Sequence, residues 1–171
     1  MMVQRLTGLL RAALCNRYCR EMGNREETDM LQTLKDRYEQ YREDVRKVTA
    51  KARSTDGLFG MGDDPRKDPC HMRFYEDVEQ FLREFLKTGP DAQETYEVAR
   101  WIIAAPVLHR GEATYWFAYA VHGLCKELIP RLDAVGCADL LAFYDENYPK
   151  QDRLPVHKEL YKLLKKGAGK K

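Results

Sequence analysis

The chain has 171 residues, of which 44% are apolar and 33% charged, and its formal net charge is +2. These values predict one globular domain with a hydrophobic core of its own, and they exclude an intrinsically disordered chain. The five cysteines are odd in number and form no Cys-x-x-Cys pair, so reduced thiols are expected rather than a disulfide framework. We expect a cytoplasmic protein without a metal ion, a cofactor or a membrane segment.

The charges are unevenly distributed along the chain. Residues 1–20 contain four arginines and no acidic residue, and residues 151–171 contain seven basic and two acidic residues, which gives +5. Residues 56–100 contain six basic and eleven acidic residues, which gives −5. Basic ends of this kind attract acidic partners or the phosphates of nucleic acid. Nucleic-acid binding is expected to be weak and salt-sensitive, because the acidic middle of the chain repels phosphate and no recognisable reading helix is present.

The first predicted element is a basic amphipathic helix within residues 1–24, which forms either part of the domain or an appendage. Cys15 and Cys19 lie one turn apart on it, and packing is favoured over metal binding because two thiols make a poor metal site. Met22 and Met30 both precede plausible helix starts. The sequence therefore leaves open whether residues 1–29 belong to the native protein.

The second predicted helix begins after Thr28 or Asp29. Its apolar residues follow one another at spacings of three and four, which is typical of a seam that packs on a long partner helix: Leu31, Leu34, Tyr38, Tyr41, Val45, Val48 and Ala52. A dimeric coiled coil is one interpretation. Docking on the chain's own central helix is favoured, because two tyrosines and an alanine make a weak zipper seam.

A loop rich in glycine and aspartate follows, from Ser54 to Pro69. Its polar residues Asp63, Asp64, Arg66 and Asp68 are candidates for binding a ligand or a partner, and the carboxylates suit a hard cation. The spacing of a Walker loop or an EF-hand is absent. Because Asp64 and Asp68 each precede a proline, helix capping is the favoured role.

The remaining helices are predicted from their apolar spacing and their terminal signals. They cover residues 69–87, 91–106, 112–129, 137–148 and 155–166, and residues 167–171 form a basic, frayed tail. The segment 112–129 is apolar on nearly all sides, so we expect it to be the central helix and to bury Trp116, Val121, Leu124 and Leu128. The predicted fold is an all-α, single-domain bundle of six or seven helices over residues 25–166.

A stripe of polar-tipped side chains runs along the predicted central helix. Glu112, Tyr115, Tyr119, His122 and Lys126 follow one another at spacings of three and four. Such a stripe presents phenol, imidazole and ammonium groups to an anionic ligand or to a partner carboxylate. The favoured alternative is that the stripe is the solvent-facing edge of the helix, with buried ring bodies and wet tips.

Cys70 and His71 are the remaining candidates for chemistry. Cys70 is predicted near the beginning of a helix, where the helix dipole lowers a thiol pKa. His71 points about 100° away from it, so a catalytic base would have to be recruited from elsewhere, such as His109 or His122. An inert, buried thiol and a structural histidine are favoured over catalysis.

These observations favour a non-enzymatic interaction or regulatory module with a protein partner or with itself. One alternative is a small-molecule-binding protein or a thiol-dependent enzyme that uses the 56–71 loop and the Tyr115/Tyr119/His122/Lys126 stripe. The second alternative is weak nucleic-acid binding through the basic termini.

Overall fold

The computed structural model describes residues 30–52 and 64–169, and every regular element in these ranges is helical. The all-α prediction is confirmed. Six α-helices are present in this part of the chain: α1 (residues 30–52), α2 (Pro69–Lys87), α3 (Ala92–Leu108), α4 (Thr114–Ala120), α5 (Ala134–Asn147) and α6 (Pro155–Gly167). Short 3₁₀ helices cover Pro65–Lys67, Val121–Glu127, Ile129–Arg131 and Lys150–Asp152.

Contacts divide the chain into two units between Asp36 and Arg37, within α1. Of the first unit, residues 30–36 are described, and they are helical. All packing reported below belongs to the second unit. The predicted N-terminal helix with Cys15 and Cys19, and Asp63 of the glycine-rich loop, lie outside the described residues.

The apolar seam of α1 packs on the chain's own helices. The Tyr41 ring stacks on Phe74 of α2 at 4.4 Å between centroids. Tyr38 meets Trp101 of α3 edge-on at 5.7 Å. The Phe117 ring of α4 lies 5.8 Å from Tyr41. The part of the seam at Tyr38 and Tyr41 is thus covered by α2, α3 and α4 rather than by the central helix alone.

Side-chain caps fix the beginnings of α2, α3 and α5, and those of α2 and α3 were predicted from the sequence. Asp68 accepts a hydrogen bond from the amide of Cys70 at 2.9 Å and precedes Pro69. Asp91 and Glu94 form the predicted capping box of α3. Asp133 accepts from the amide of Gly136 at 2.7 Å, so α5 begins three residues earlier than predicted.

The predicted central helix over 112–129 is not a continuous α-helix. Its α-helical part ends at Ala120, and the chain then tightens into the Val121–Glu127 3₁₀ helix. Residues three apart are aligned in 3₁₀ geometry, and accordingly His122, Cys125 and Leu128 are all fully buried. A pattern based on 3.6 residues per turn does not anticipate this change of winding at Val121.

The burial expected for this segment is confirmed only in part. Val121 and Leu128 are buried, whereas Leu124 is half-buried. Trp116 is 62% exposed, so its predicted burial is wrong. The buried face of α4 is formed by Thr114, Ala118 and Tyr119, and Trp116 lies on the opposite face of this short helix.

An ion-pair cluster joins the segment before α4 to α1. Arg42 donates from Nε to Glu112 Oε2 at 3.1 Å and from Nη2 to Oε1 at 2.8 Å, and Arg46 donates to Oε1 at 3.2 Å. The hydrogen bonds from Arg42, followed by those from Arg46, lower the pKa of the Glu112 carboxyl to about 2. The Arg42 side chain is only 11% exposed, so the carboxylate of Glu112 also satisfies a nearly buried cation.

The last helix approaches its neighbours most closely at two glycines. A Cβ atom on Gly123 would lie 2.4 Å from Cγ2 of Val156, and one on Gly167 would lie 2.4 Å from Sγ of Cys137. Both distances are far below a van der Waals contact. The absence of a side chain at Gly123 therefore sets how closely α6 packs against the 3₁₀ segment.

The contact between Gly123 and Val156 generates a prediction. Gly123 has a negative φ, so an alanine there would ordinarily stabilise a helical backbone by about 0.5–1 kcal/mol. We expect Gly123→Ala instead to lower the free energy of unfolding by about 1–3 kcal/mol, because the added methyl overpacks against Val156. Urea denaturation of Gly123→Ala, Val156→Ala and the double variant measures this. If the destabilisation of the double variant equals the sum of the two single effects, the close contact is contradicted.

The Glu112 cluster generates a second prediction. We expect Glu112→Gln to destabilise the fold by about 1–3 kcal/mol at pH 7, since it removes the carboxylate that binds Arg42 at two atoms and leaves Glu39 as its remaining charged partner. A carboxyl with a lowered pKa stabilises the folded state above its ordinary pKa, and this contribution is lost as the pH falls toward about 2. The difference in unfolding free energy between wild type and Glu112→Gln should therefore shrink below about pH 4.5. Glu127→Gln, at an exposed position, is the matched control, and a pH-independent difference would exclude this role for Glu112.

Candidate functional site

Five polar aromatic side chains meet in the interior between α4, the Val121–Glu127 3₁₀ helix, α5 and α6. Each of them is at most 1% exposed, and together we call them the tyrosine–histidine cluster: Tyr119, His122, Tyr144, Tyr148 and His157. A core region built from phenol and imidazole rings differs from the aliphatic packing that the apolar pattern predicts. It places polar atoms where water does not reach.

The rings of the tyrosine–histidine cluster are in direct contact. Tyr119 lies at the centre, with its ring centroid 3.9 Å from that of His157 and 4.6 Å from that of Tyr148. His122 meets Tyr148 edge-on at 5.0 Å. Such tilted and stacked contacts stabilise beyond simple burial of area, and they hold each ring in one orientation.

His157 connects two segments of main chain through its two ring nitrogens. Nδ1 accepts a hydrogen bond from the amide of Leu154 at 3.0 Å, and Nε2 donates to the carbonyl of Tyr119 at 3.0 Å. An amide can only donate and a carbonyl can only accept, so the imidazole is neutral and carries its proton on Nε2. Burial lowers the pKa of His157, and Arg153 lowers it further, while the Tyr119 carbonyl acts in the opposite direction.

His122 is also held neutral in the cluster. Burial, followed by the neighbouring His157, lowers its pKa to about 3, although the carbonyls of Ile102 and Ile103 partly offset this. Burial raises the pKa of Tyr119 to about 12 and raises those of Tyr144 and Tyr148 as well. At neutral pH the five rings are therefore uncharged, and the cluster is an interior network rather than an open site.

Arg153 closes the cluster at the end of α5, and the sequence analysis did not identify it. Its guanidinium donates to the carbonyl of Tyr148 at 2.9 Å and to Asp145 at 3.1 Å, and it stacks over the Tyr161 ring at 4.2 Å. The cation thereby satisfies main-chain carbonyl groups at a helix C-terminus, where positive charge is favourable. An arginine between two predicted helices gives no signal that distinguishes it from a surface residue.

The structure separates the predicted stripe into buried and surface groups. Tyr119 and His122 are buried, so the interpretation of the stripe as a solvent-facing edge is wrong for them. Tyr115 is half-buried and stacks on Tyr119 at 5.7 Å. Lys126 forms an ion pair with Glu159 of α6. The four residues therefore do not line one accessible surface.

Cys70 and His71 lie at the beginning of α2 and are both buried. Burial, followed by the hydrogen bond with Asp68, raises the pKa of Cys70 to about 12, against the direction in which the helix dipole acts. Nδ1 of His71 pairs with the hydroxyl of Tyr41 at 2.9 Å. His109 contacts Tyr38 instead, with ring centroids 5.6 Å apart. These surroundings disfavour thiolate chemistry at Cys70.

The polar residues at the end of the glycine-rich loop make local contacts. Asp64 accepts from the amide of Arg66 at 3.0 Å and pairs with its guanidinium at 2.9 Å. Asp68 caps α2. Within residues 30–52 and 64–169, no three His, Cys, Asp or Glu side chains are arranged to hold a metal ion.

Exposed apolar side chains next to the cluster were not predicted. Trp116 is 62% exposed, and its ring lies 6.2 Å from that of Tyr119. Leu154 is 48% exposed, and its amide donates to His157. Together with the half-buried Tyr115, we call these residues the Trp116 surface. Its members come from two segments that the Tyr119–His157 contact holds together.

Comparison with known proteins provides no functional assignment. No protein-family model, no curated protein and no solved structure matches the chain. Among the described helices, none has the length and apolarity needed to cross a membrane.

The burial of Cys70 leads to a test of the catalytic hypothesis. We expect Cys70 to alkylate far more slowly than a free cysteine in the native protein, because both burial and the neighbouring carboxylate oppose the thiolate. Iodoacetamide labelling over a pH series, followed by peptide mapping, gives the rate and apparent pKa of each cysteine. Cys125, which is fully buried, is the internal control. Rapid labelling of Cys70 with an apparent pKa below about 8.5 would instead support a nucleophile.

Proposed function

We propose that the chain is a protein–protein interaction module that binds its partner through the Trp116 surface. The observation that carries this proposal is the exposure of the Trp116 indole beside rings that are themselves fixed in the interior. Tryptophan contributes more to interface affinity than most residues, because one rigid side chain removes a large apolar area from water. The partner is expected to offer an apolar pocket that receives the indole.

The rigidity of the support favours a binding role over incidental exposure. Trp116 contacts Tyr115 edge-on at 5.1 Å, and Tyr115 in turn stacks on the buried Tyr119. A side chain that is already ordered loses less conformational entropy when it binds. Single exposed apolar residues are ordinary on protein surfaces, so the contacts of Trp116 with Tyr115 and with the buried Tyr119 are what distinguish this position.

The chemistry of the interior also supports a binding module. The tyrosine–histidine cluster is uncharged and buried, and Cys70 is buried with a raised pKa. Groups in these states are poorly suited to nucleophilic or acid–base catalysis near neutral pH. A role in binding requires only the outer surface and a stable scaffold beneath it.

Substitution at Trp116 tests the proposed function. We expect Trp116→Ala to weaken partner binding by at least about tenfold while changing the unfolding free energy little, because the indole is mostly exposed. Proteins retained by immobilised wild type and lost with Trp116→Ala would be purified, and their affinities measured by titration calorimetry. Sedimentation velocity of the chain alone tests whether the partner is a second copy.

The matched control is Leu108→Ala, since Leu108 is 76% exposed at the end of α3. This variant should bind as wild type does. If Trp116→Ala and wild type retain the same proteins with the same affinities, and neither self-associates through this surface, the proposal is refuted.

A further inference from the structure

The hydrogen bonds of His157 depend on its protonation state. Its neutral ring joins the amide of Leu154, at the start of α6, to the carbonyl of Tyr119, at the end of α4. Leu154 is also part of the Trp116 surface, and Tyr119 is the ring on which Tyr115 and Trp116 rest. One imidazole therefore holds together the two segments that carry this surface.

A second N–H group on this ring would have no hydrogen-bond acceptor. It would be added at Nδ1, which already accepts the amide proton of Leu154. Two N–H groups would then face each other at a buried position, and the hydrogen bond that caps α6 would be lost. The bond from Nε2 to the Tyr119 carbonyl is unaffected, so the change falls on the start of α6.

The groups around His157 do not compensate for a positive charge. Tyr119 of α4 and His122 of the 3₁₀ helix face the ring directly, and α5 contributes Tyr144 and Tyr148 behind them. The guanidinium of Arg153 precedes the helix, and its charge opposes the cation. Two of the nearby carboxylates are paired, Asp145 with Arg153 and Glu159 with Lys126, and the third, Asp152 of the Lys150–Asp152 3₁₀ helix, is exposed to solvent. Arg131, on the Ile129–Arg131 3₁₀ helix against which α6 also packs, is exposed and likewise positive.

We propose that His157 is an acid-sensitive latch whose protonation breaks its hydrogen bond to the Leu154 amide, releases Leu154 from the start of α6 and thereby weakens partner binding at the Trp116 surface. The consequence for binding rests on the function proposed above, whereas the release itself does not. The trigger is a fall in pH through the ordinary range of a solvated histidine, and the moving residue is Leu154, which precedes the first turn of α6.

The direction of the pH dependence follows from the pKa of His157 in the closed and the released state. In the closed state the pKa of His157 lies below that of a solvated imidazole, so the released state binds the proton more readily. The closed state is fully favoured above about pH 6.5, and its advantage declines as the pH falls below this value. Between pH 6.5 and pH 5 the equilibrium shifts toward release by at most about thirtyfold, since each pH unit contributes up to about tenfold.

Amide hydrogen exchange of the full-length chain tests the latch without a partner. We expect the protection factor of the Leu154 amide to fall by up to about thirtyfold from pH 6.5 to pH 5, after correction for intrinsic exchange. The Leu141 amide, in the middle of α5, should keep its protection. A change in the NMR chemical shifts of the His157 ring nitrogens over the same pH range identifies the titrating group.

His157→Gln is the matched variant. Glutamine at the third position of a helix accepts a hydrogen bond from the N-cap amide but does not titrate. It should remove the acid response of Leu154, whereas His109→Gln, at a histidine outside the cluster, should retain it. Unchanged protection of Leu154 down to pH 5, or an equal loss at Leu141, overturns the latch even if His157→Gln fails to fold.

A measurement of partner affinity against pH separates the latch from the proposed function. With a partner identified through Trp116, wild type should lose affinity between pH 6.5 and pH 5, and His157→Gln should not. Release at Leu154 with no change in partner affinity leaves the latch established and refutes its control of the Trp116 surface. Absence of any Trp116-dependent partner refutes the proposed function, while the exchange measurement still decides the latch.

Discussion

The pair of hydrogen bonds at His157 is the constraint on which the C-terminal half of the structure depends. An amide donor on one side and a carbonyl acceptor on the other define both the tautomer of the ring and the distance between α4 and α6. An aliphatic side chain of equal volume would fill the space without specifying this arrangement. Polar contacts in a core provide such directional information, provided that every partner is present.

Neighbouring contacts follow from this constraint. With α6 held against the 3₁₀ segment, Val156 comes so close to the chain that only glycine fits at position 123. The same approach brings Lys126 to Glu159 and places Arg153 over the ring of Tyr161. Each interaction is local, but all of them require α6 to lie where His157 places it.

Much of the architecture was accessible from the sequence, because it rests on apolar periodicity and capping chemistry. The buried residues of α2, such as Phe74, Val78 and Phe85, recur at helical spacing, and Asp91 with Glu94 is a recognisable capping box. The site was much less accessible. His122 was singled out as part of a surface stripe, yet it is buried, in a segment that leaves α-helical geometry at Val121. Helical periodicity does not reveal such a change of winding.

His157 and Arg153 were missed for a different reason. Their roles depend on the main-chain groups of Tyr119, Tyr144 and Tyr148, which pairwise sequence spacing does not bring together. The one local signal was the position of His157, third in a helix that begins with Pro155, where a side-chain acceptor commonly reaches back to the N-cap amide. Applied to histidine as well as to glutamate and glutamine, that rule identifies the bond to Leu154.

The structure divides polar aromatic residues into two functions according to their exposure. Tyr119, Tyr148 and His157 are buried, uncharged and immobilised by their neighbours, so they specify position. Trp116 lies in contact with Tyr119 and keeps most of its surface in solvent, which is the basis for proposing it as the recognition residue. An interface residue gains affinity when the scaffold has already fixed its orientation. Under the proposed latch, recognition at Trp116 also depends on the protonation state of His157, because the titrating ring contacts Tyr119, on which Trp116 rests.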